Sequence, residues 1–274
     1  MNIKLNEKII SDRINLPDEE NKVFQGICTV GKFIFVTAYD NNGDNSVIYI
    51  LDGKKHIKTV TLYNNSHVGG ICFDNINNLF WITDKGGYIS SYQYDDIFNG
   101  IGIPVNTVYV GDRLVNYKDK ISVAYVAYNR GRIYVGNFSL IGIGILKEYL
   151  VTDNGSINLD SERVIKFLDK VQGITFYDDL LVISTSYGRN NNSLLKICSF
   201  SFDKDDYRDE DFISIIMPPM MEQISFDNDR LFTLYEINAK KFNKFMKKNN
   251  DILIIDFIKI LEFIEYKYSY WNNS

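Results

Sequence analysis

Three side chains in this sequence are suited to acid–base chemistry: Glu222, Glu236 and His67. Glu222 follows the apolar segment Met217-Pro218-Pro219-Met220-Met221, and Glu236 ends the next apolar run. His67 is one of two histidines and stands just before a glycine pair. Two carboxyl groups that face one pocket can act as a general acid and a general base, while an imidazole titrates near neutral pH. We therefore predict these three residues as candidate catalytic groups.

Each of the three also has a structural interpretation, and the sequence leaves both open. Glu236 could form an ion pair with Lys240, four residues further along a helix. An isolated histidine often serves only as a structural hydrogen-bonding group. Glu222 occupies the position at which two related segments carry Gln25 and Gln172. A carboxylate where related segments have an amide indicates a specialised position.

Seven further side chains are candidate ligand contacts because they lie beside repeated segments or in the loops that follow them. They are Gln25, Tyr39, Asp84, Tyr125, Gln172, Tyr187 and Arg189. The run Ser184-Thr185-Ser186 lacks the Gly-x-Ser-x-Gly turn of serine hydrolases, which argues against a serine nucleophile. Histidines and cysteines do not cluster, and Asp40-Asn41-Asn42-Gly43-Asp44 is only a partial calcium-binding pattern. The sequence therefore predicts no metal site and no cofactor.

These candidates belong to a segment that occurs five times along the chain. Each copy has an apolar anchor residue, often after a glycine, followed by a turn and a dense β-branched or aromatic strand. The anchors are Ile27, Ile71, Val126, Ile174 and Ile224, at intervals of 44 to 55 residues. Periods of about 40 to 50 residues with several short strands per unit are typical of propeller blades.

Each repeat contains enough strand-like segments for four antiparallel strands. We therefore predict an all-β fold, a five-bladed β-propeller with four-stranded antiparallel blades, in which residues 1–274 form a single domain. A β-sandwich would also contain short strands and turns, but it would not repeat an anchor at a nearly constant interval. Residues 2–5 or residues 258–268 are the segments expected to supply the fourth strand of the last blade.

The innermost strands of a propeller line its central channel, so polar residues beside the anchors should meet at one mouth of that channel. Glycine next to an anchor lets the backbone approach the axis closely. This arrangement predicts a central polar pocket whose lining combines Gln25, His67, Gln172, Tyr187, Glu222 and Glu236 with aromatic walls.

Composition limits the classes of partner. The chain has a net charge of −5 and a pI of about 5.2, which disfavours nucleic acid binding. No stretch approaches the length of an apolar membrane span, and the first residues do not form a signal peptide. The expected location is cytoplasmic by default, or outside the cell if a leader has been removed. A small molecule or a glycan is the expected partner, and the rim of the blades could bind a protein.

Two features have simpler structural explanations. Cys28, Cys72 and Cys198 lie in apolar strand patterns, which favours buried free thiols over a disulfide. Residues 238–249 gather five lysines around two phenylalanines. A solvated helix face is favoured there over a contact with an anion or a membrane surface.

Several short motifs together resemble an uncharacterised group of bacterial five-bladed propeller proteins. They are Gln25-Gly26-Ile27, Ser66-His67-Val68-Gly69-Gly70-Ile71, Gln172-Gly173-Ile174, Ser186-Tyr187-Gly188, Pro218-Pro219-Met220 before Glu222, and Ala239-Lys240-Lys241-Phe242. The resemblance spans nearly the whole chain and implies the propeller fold, but no established activity. Where the group usually has Glu-Gly-Ile, this chain has Glu222-Gln223-Ile224, which would reshape the floor of the pocket.

Five-bladed propellers more broadly resemble arabinanase-type glycosidases, tachylectin sugar binders and calcium-dependent apyrases. This chain has neither the Asp-Pro opening of the first nor the calcium cage of the last, and fold analogy alone does not establish function. Three hypotheses follow. The first is a protein that binds a sugar or another polar small molecule in the central pocket. The second is a glycan-directed hydrolase or lyase that uses Glu222 or Glu236 with His67. The third is a protein-interaction scaffold with an inert channel.

Overall fold

The computed structural model describes residues 2–4, 7–116, 118, 120–236 and 251–272. The lysine-rich stretch 238–249, which includes Lys240, lies outside the described residues. Within them, the N-terminal segment supplies strands β1 (Asn2–Lys4) and β2 (Ile10–Ile14). The remaining strands form consecutive antiparallel hairpins that group into five sheets.

The first four strands of blades one to four, and the first three strands of blade five, follow chain order from the innermost outwards. Blade one contains β3 (Lys22–Val30), β4 (Phe33–Asp40), β5 (Val47–Asp52) and β6 (Lys55–Thr61); blade two contains β7 (Ile71–Asp74), β8 (Leu79–Thr83), β9 (Tyr88–Gln93) and β10 (Asn106–Tyr109); blade three contains β11 (Tyr125–Asn129), β12 (Arg132–Gly136), β13 (Gly144–Val151) and β14 (Ile157–Phe167). Blade four contains β15 (Val171–Tyr177), β16 (Leu180–Thr185), β17 (Ser193–Ser199) and β18 (Ile213–Met217); blade five contains β19 (Met221–Asp227), β20 (Arg230–Tyr235) and β21 (Ile252–Asp256).

The innermost strands form a closed ring. Strand β3 contacts β7, β7 contacts β11, β11 contacts β15, β15 contacts β19, and β19 returns to β3. The five anchors lie on these five strands. The protein is therefore a five-bladed β-propeller with four-stranded antiparallel blades, as the repeat predicted.

An apolar cluster fills each of the five seams between neighbouring blades. Aromatic rings are common in them, as between blades one and two, where the ring centres of Phe35 and Phe80 are 4.5 Å apart. Flat rings suit the space between two pleated sheets and bury a large apolar area. Cys28, Cys72 and Cys198 are buried free thiols, as expected.

Strand β2 closes the ring, so the expectation that residues 2–5 or 258–268 supply the last strand of blade five is wrong. Strand β2 pairs antiparallel with β21 and becomes the fourth strand of that blade. Strand β1 instead adds a parallel fifth strand to blade four.

The described residues also form two α-helices, α1 (Tyr94–Asn99) and α2 (Phe257–Asn272). Phe257, Ile260 and Ile264 of α2 are buried in the seam between blades four and five. Their spacing of three and four residues places them on one face of a helix, which explains why this segment is not a strand. No helix in the described part of the chain is long and apolar enough to span a membrane.

Candidate functional site

A β-bulge in the innermost strand of three blades turns a polar side chain towards the hub. In blade one the pairing with β4 skips Gln25, and in blade four the pairing with β16 skips Gln172. In blade five it skips both Glu222 and Gln223. A bulge places an extra residue against one partner residue and re-aims its side chain. The three polar residues Gln25, Gln172 and Glu222 therefore share one structural origin.

Threonine hydroxyls of the second strand hydrogen-bond to the backbone at the hub in blade one, which has a bulge, and in blade two, which has none. The Thr37 hydroxyl accepts from the backbone N–H of Gly26 at 2.9 Å and donates to the carbonyl of Val68 in the next blade at 2.8 Å. Thr83 repeats the first of these contacts in blade two, where its hydroxyl accepts from the N–H of Gly70 at 3.0 Å. A buried donor without an acceptor would be costly, so the hydroxyls stabilise the distorted backbone at the hub.

Met220 holds Glu236, the first residue after β20, in place. Its backbone is left-handed, with a φ of 66°, and its carbonyl accepts from the N–H of Glu236 at 3.0 Å. Lys170 has the same conformation in blade four, where its carbonyl accepts from the N–H of Ser186. Non-glycine residues rarely adopt this conformation, and such residues often lie near functional sites.

A cavity of about 500 Å³ opens where the bulged residues converge. Its lining combines carboxyl, amide, imidazole, hydroxyl and ammonium groups with one phenyl ring. The polar and aromatic residues that line it are Gln25, His67, Thr83, Asp84, Lys85, Asn116, Lys118, Lys120, Ser122, Phe138, Gln172, Glu222 and Glu236. The structure therefore brings together six of the predicted site residues in one cavity: Gln25, His67, Asp84, Gln172, Glu222 and Glu236.

Glu222 is the most deeply buried carboxyl group of this cavity. Burial raises its pKa well above the usual range, and the negative charge of Glu236 raises it further. The side-chain amide of Gln25 donates to Oε1 of Glu236 at 3.3 Å and to the carbonyl of Phe24 at 2.8 Å. Desolvation favours the neutral acid, so the cavity contains two carboxyl groups in different environments.

Tyr39 supports one wall of the cavity although it does not line it. Its ring stacks on the imidazole of His67, with centres 4.6 Å apart and planes 24° apart. Burial raises the pKa of the Tyr39 hydroxyl, and the charges of Glu236 and Glu222 raise it further. The hydroxyl therefore stays protonated and lies within electrostatic range of both glutamates.

Asp84 lines the cavity, but donors of the protein occupy its carboxylate. It accepts from the side chains of Tyr63, Asn64, Ser66 and Ser90 and from its neighbour's backbone N–H. Burial acts to raise its pKa, but these hydrogen bonds outweigh burial and lower it. Asp84 therefore has a structural role: it anchors the loop that contains Tyr63, Asn64 and Ser66, before the first strand of blade two.

Besides Tyr39, three of the predicted ligand contacts do not line the cavity. Tyr125 is fully buried in the seam between blades three and four. A Cβ atom at Gly136 would come within 2.1 Å of its hydroxyl oxygen, so glycine is required there. Tyr187 and Arg189 follow β16 on an exposed loop, and Tyr187 is 46% exposed.

Gln223 is the residue that the sequence analysis undervalued. Its side chain lies at the hub, where Oε1 accepts from the N–H groups of Ile27 and Ile71 at 3.0 and 2.9 Å. Its Nε2 donates to the carbonyls of Ile71 and Val126 at 2.8 and 3.1 Å. A Cβ atom at Gly173 would come within 2.8 Å of its Cα. A single side chain of blade five therefore contacts the innermost strands of the other four.

The sequence contained the information needed to find Gln223. Three blades carry glycine directly before the anchor, at Gly26, Gly70 and Gly173, whereas blade five has Gln223. One large side chain can occupy the hub only if its neighbours there are small. The three lysines and Phe138 of the cavity gave no comparable indication, because they lie between strands, where residue types do not repeat from blade to blade. No cluster of three or more His, Cys, Asp or Glu side chains suited to a metal occurs among the described residues.

Comparisons with known proteins show the fold alone. No protein-family model matches the sequence, and no curated protein does. A GH43_1 enzyme from Xanthomonas citri is 6% identical, with a TM-score of 0.57 over 90% of each chain. Two further matches are more distant. The β-propeller domain of Cps50 (Swd1) from Myceliophthora thermophila is 11% identical, with a TM-score of 0.41 over 82% of this chain and 65% of that one.

Hsv2 from Kluyveromyces marxianus is 11% identical, with a TM-score of 0.39 over 78% of this chain and 56% of that one. The chain therefore spans less than two thirds of the length of Hsv2 and of the Cps50 domain. At these identities, the similarity carries no information about ligand or reaction.

Proposed function

We propose that this propeller binds a small polar molecule, such as a sugar, in the cavity at the Glu222 end of its hub. The observation that carries this proposal is the buried Glu222 carboxyl group, which faces a cavity of about 500 Å³ together with Gln25 and Gln172. Gln25 and Glu222 are buried and Gln172 is half-buried, and burying hydrogen-bonding groups costs free energy unless they have partners. A hydroxyl-rich ligand supplies both donors and acceptors to such a site.

The cavity also suits a sugar in its size and in its lining, which combines polar groups with an aromatic surface. Ligand sites of about 300 to 1,000 Å³ combine a few polar groups that fix orientation with apolar or aromatic surface. Here the neutral acid of Glu222 can donate, the carboxyl group of Glu236 can accept, and the amides of Gln25 and Gln172 can do both. Phe138 supplies an aromatic surface.

A glycan-directed hydrolase or lyase is the second candidate, and the asymmetry of the carboxyl pair favours it. Glu222 has the raised pKa that a general acid needs, and Glu236, whose charge contributes to that shift, lines the same cavity. His67, held flat by Tyr39, would orient the substrate. A protein partner at the rim and membership of the bacterial propeller group stay predictions.

A thermal-shift screen of neutral sugars and polar metabolites tests binding, because a ligand of the folded state raises the melting temperature by mass action. We expect at least one sugar to stabilise the wild-type protein, and the shift to fall in Gln172→Ala. Gln93→Ala is the matched control, because Gln93 lies at the exposed end of β9, outside the cavity lining. Equal shifts in both variants, or no shift with any compound, would contradict the proposal.

The reaction is tested separately with any compound that binds. Glu222→Gln keeps the size and hydrogen-bonding capacity of the side chain but removes its transferable proton. If the protein is a hydrolase or lyase, this variant should bind the substrate while its turnover falls by at least about a hundredfold. Turnover at the wild-type rate would exclude Glu222 as the general acid.

A further inference from the structure

The glutamates and the lysines of the cavity come from opposite sides of the ring. Glu222 and Glu236 belong to blade five, whose innermost strand packs against those of blades four and one. Lys85 lies in the turn between β8 and β9 of blade two, and Lys118 and Lys120 lie between β10 and β11, where blade two leads into blade three. In a ring of five, blades two and three are the ones opposite blade five. The cavity therefore has an acidic side and a basic side.

Close packing holds the two lysine-bearing segments of the basic side together. A Cβ atom at Gly87 would come within 2.6 Å of the side chain of Ile121 and within 2.8 Å of the Cα atom of Gly111. The backbone N–H of Val110 also donates to the carbonyl of Gly87 at 2.9 Å. The turn that contains Lys85 and the segment that leads up to Ile121 are therefore neighbours in the fold.

The side chain of Asn116 shapes the second of these segments. Its Oδ1 accepts from the N–H groups of Lys118 and Lys120 at 2.9 and 3.2 Å, and its own backbone N–H donates to the carbonyl of Lys120 at 2.8 Å. The side-chain amide of Asn137, in blade three, donates to the carbonyl of Val115 at 2.6 Å. These contacts fix the backbone that carries the lysines, which lowers the entropic cost of binding a ligand there.

The ammonium groups of the basic side can bind an anion. Lys85 and Lys120 are exposed, and neither forms an ion pair among the described residues. The ammonium group of Lys85 reaches the side-chain oxygen of Asn65 only at 3.5 Å, the limit of a hydrogen bond. Asp84 lies on the same side, but donors of the protein occupy its carboxylate. The neighbouring Asp119 lies outside the described residues.

Glu222, on the acidic side, has no partner of its own. Its side chain is 6% exposed, and among the described residues neither a hydrogen bond nor a lysine lowers its pKa. The lysines of the opposite wall are therefore too far away to pair with it. A deeply buried polar group without a partner needs a specific explanation. A ligand that spans the cavity could contact both sides at once.

We infer that the ligand of this cavity is an acidic sugar, a hydroxyl-rich ring that carries one anionic substituent. Its hydroxyl groups accept from the neutral acid of Glu222 and donate to the carboxyl group of Glu236, while its anionic group lies among the ammonium groups of the basic side. The reverse orientation would place the anion beside Glu236, which repels it. This inference rests on the proposed function and names the class of sugar. A carboxylate and a phosphate ester share this chemistry, and the experiment distinguishes them.

Glucose, galactose, their uronates and their 6-phosphates test the inference, because each series keeps one ring and changes its charge. Affinities are measured by ligand-observed NMR titration at low and at high salt. In at least one series, we expect the uronate or the 6-phosphate to bind at least about fivefold more tightly than the neutral sugar at low salt. The preference should shrink at high salt, because salt screens exposed charges.

A double variant, Lys85→Gln with Lys120→Gln, tests where the anion binds. Both lysines are exposed, so the variant should fold like the wild type. We expect the ratio of the acidic to the neutral affinity to fall towards one. The matched control is Lys55→Gln, which removes the same charge from an exposed position in β6, outside the cavity lining. The control should keep the preference of the wild type.

Three results would overturn the inference. The first is that no acidic sugar binds the wild-type protein, the second is that the neutral sugars bind as tightly as the acidic ones, and the third is a preference that is unchanged in the double variant. The proposed function survives the second and the third if Gln172→Ala weakens binding. If binding of an acidic sugar falls in the double variant but not in Gln172→Ala, the lysines hold the anion without the cavity, and the proposed function fails instead.

Discussion

Glu222 shows how the position of a single residue sets its chemistry. A glutamate on the protein surface is ionised at neutral pH, but burial raises the pKa of this one and Glu236 raises it further. The described residues that line the cavity include no arginine, and the lysines among them lie outside the strands. The carboxyl group therefore tends to keep its proton, which allows it to donate a hydrogen bond or to act as an acid.

The same shift makes the stability of the protein depend on pH. The folded state binds the Glu222 proton more tightly than the unfolded state, so the free energy of unfolding falls as pH rises above the ordinary glutamate range. Glu222→Gln removes this dependence. We expect the variant and the wild type to be equally stable near pH 4, and the variant to be more stable at pH 8 by at least about 1 kcal/mol.

Denaturant unfolding at several pH values measures this difference. The matched control is Glu210→Gln, because Glu210 is exposed on the loop before β18. The control should show no growing advantage with pH. A Glu222→Gln variant whose advantage is constant from pH 4 to pH 8 would mean that Glu222 is ionised in the folded protein.

At the scale of strands, the sequence predicts the features that recur in every blade, but it does not predict a feature that occurs only once. The anchors repeat, and they fixed the blade number, the innermost strands and the convergence of Gln25, Gln172 and Glu222. Strand β2 does not repeat an anchor, and its pairing with β21 joins residues from opposite ends of the chain, so local pattern did not identify it. Tyr125 shows the same limit. Its position beside an anchor predicted that its side chain lines the pocket, but the ring packs in the seam between blades three and four.

Gln223 should be the most important polar residue for holding the innermost strands together. Gln223→Ala removes four hydrogen bonds and leaves the N–H and C=O groups of Ile71 without their partner. We expect the free energy of unfolding to fall by about 2–4 kcal/mol. Gln172→Ala, a change of the same type one blade away, should cost less than about 1 kcal/mol, because its side chain faces the cavity.

Urea unfolding of Gln223→Ala and Gln172→Ala measures these free energies. A third variant distinguishes the contribution of the hydrogen bonds of Gln223 from that of its volume. Gln223→Met keeps most of the volume and removes the hydrogen bonds. If Gln223→Met is as stable as the wild type, the hydrogen bonds at the hub contribute little and packing alone holds the ring.

The whole molecule depends on ring closure by β2. Ile14 lies in β2 and is buried with Leu234, Ile252 and Ile254 in the seam between blades five and one. The backbone N–H of Leu16 then donates to the carboxylate of Asp251 at 2.7 Å. A propeller without its closing strand would expose the edge of β21, and an unpaired edge strand is unstable and prone to aggregation.

If ring closure couples the blades, a substitution that destabilises blade five should also lower the stability of blade two. Ile14→Ala should lower the free energy of unfolding by about 2–4 kcal/mol, through lost apolar contact and the space left behind. Trp81 is fully buried in the second blade and reports on that blade by fluorescence once Trp271 is replaced by phenylalanine. If the ring unfolds as one unit, the urea midpoint of Trp81 fluorescence should shift together with the midpoint of β-sheet circular dichroism.

The control is Ile57→Ala, on the exposed edge strand β6, which should shift neither the fluorescence midpoint nor the circular dichroism midpoint. A Trp81 midpoint that stays at its original position in Ile14→Ala would show that the blades unfold independently, because closure by β2 would then stabilise blade five alone.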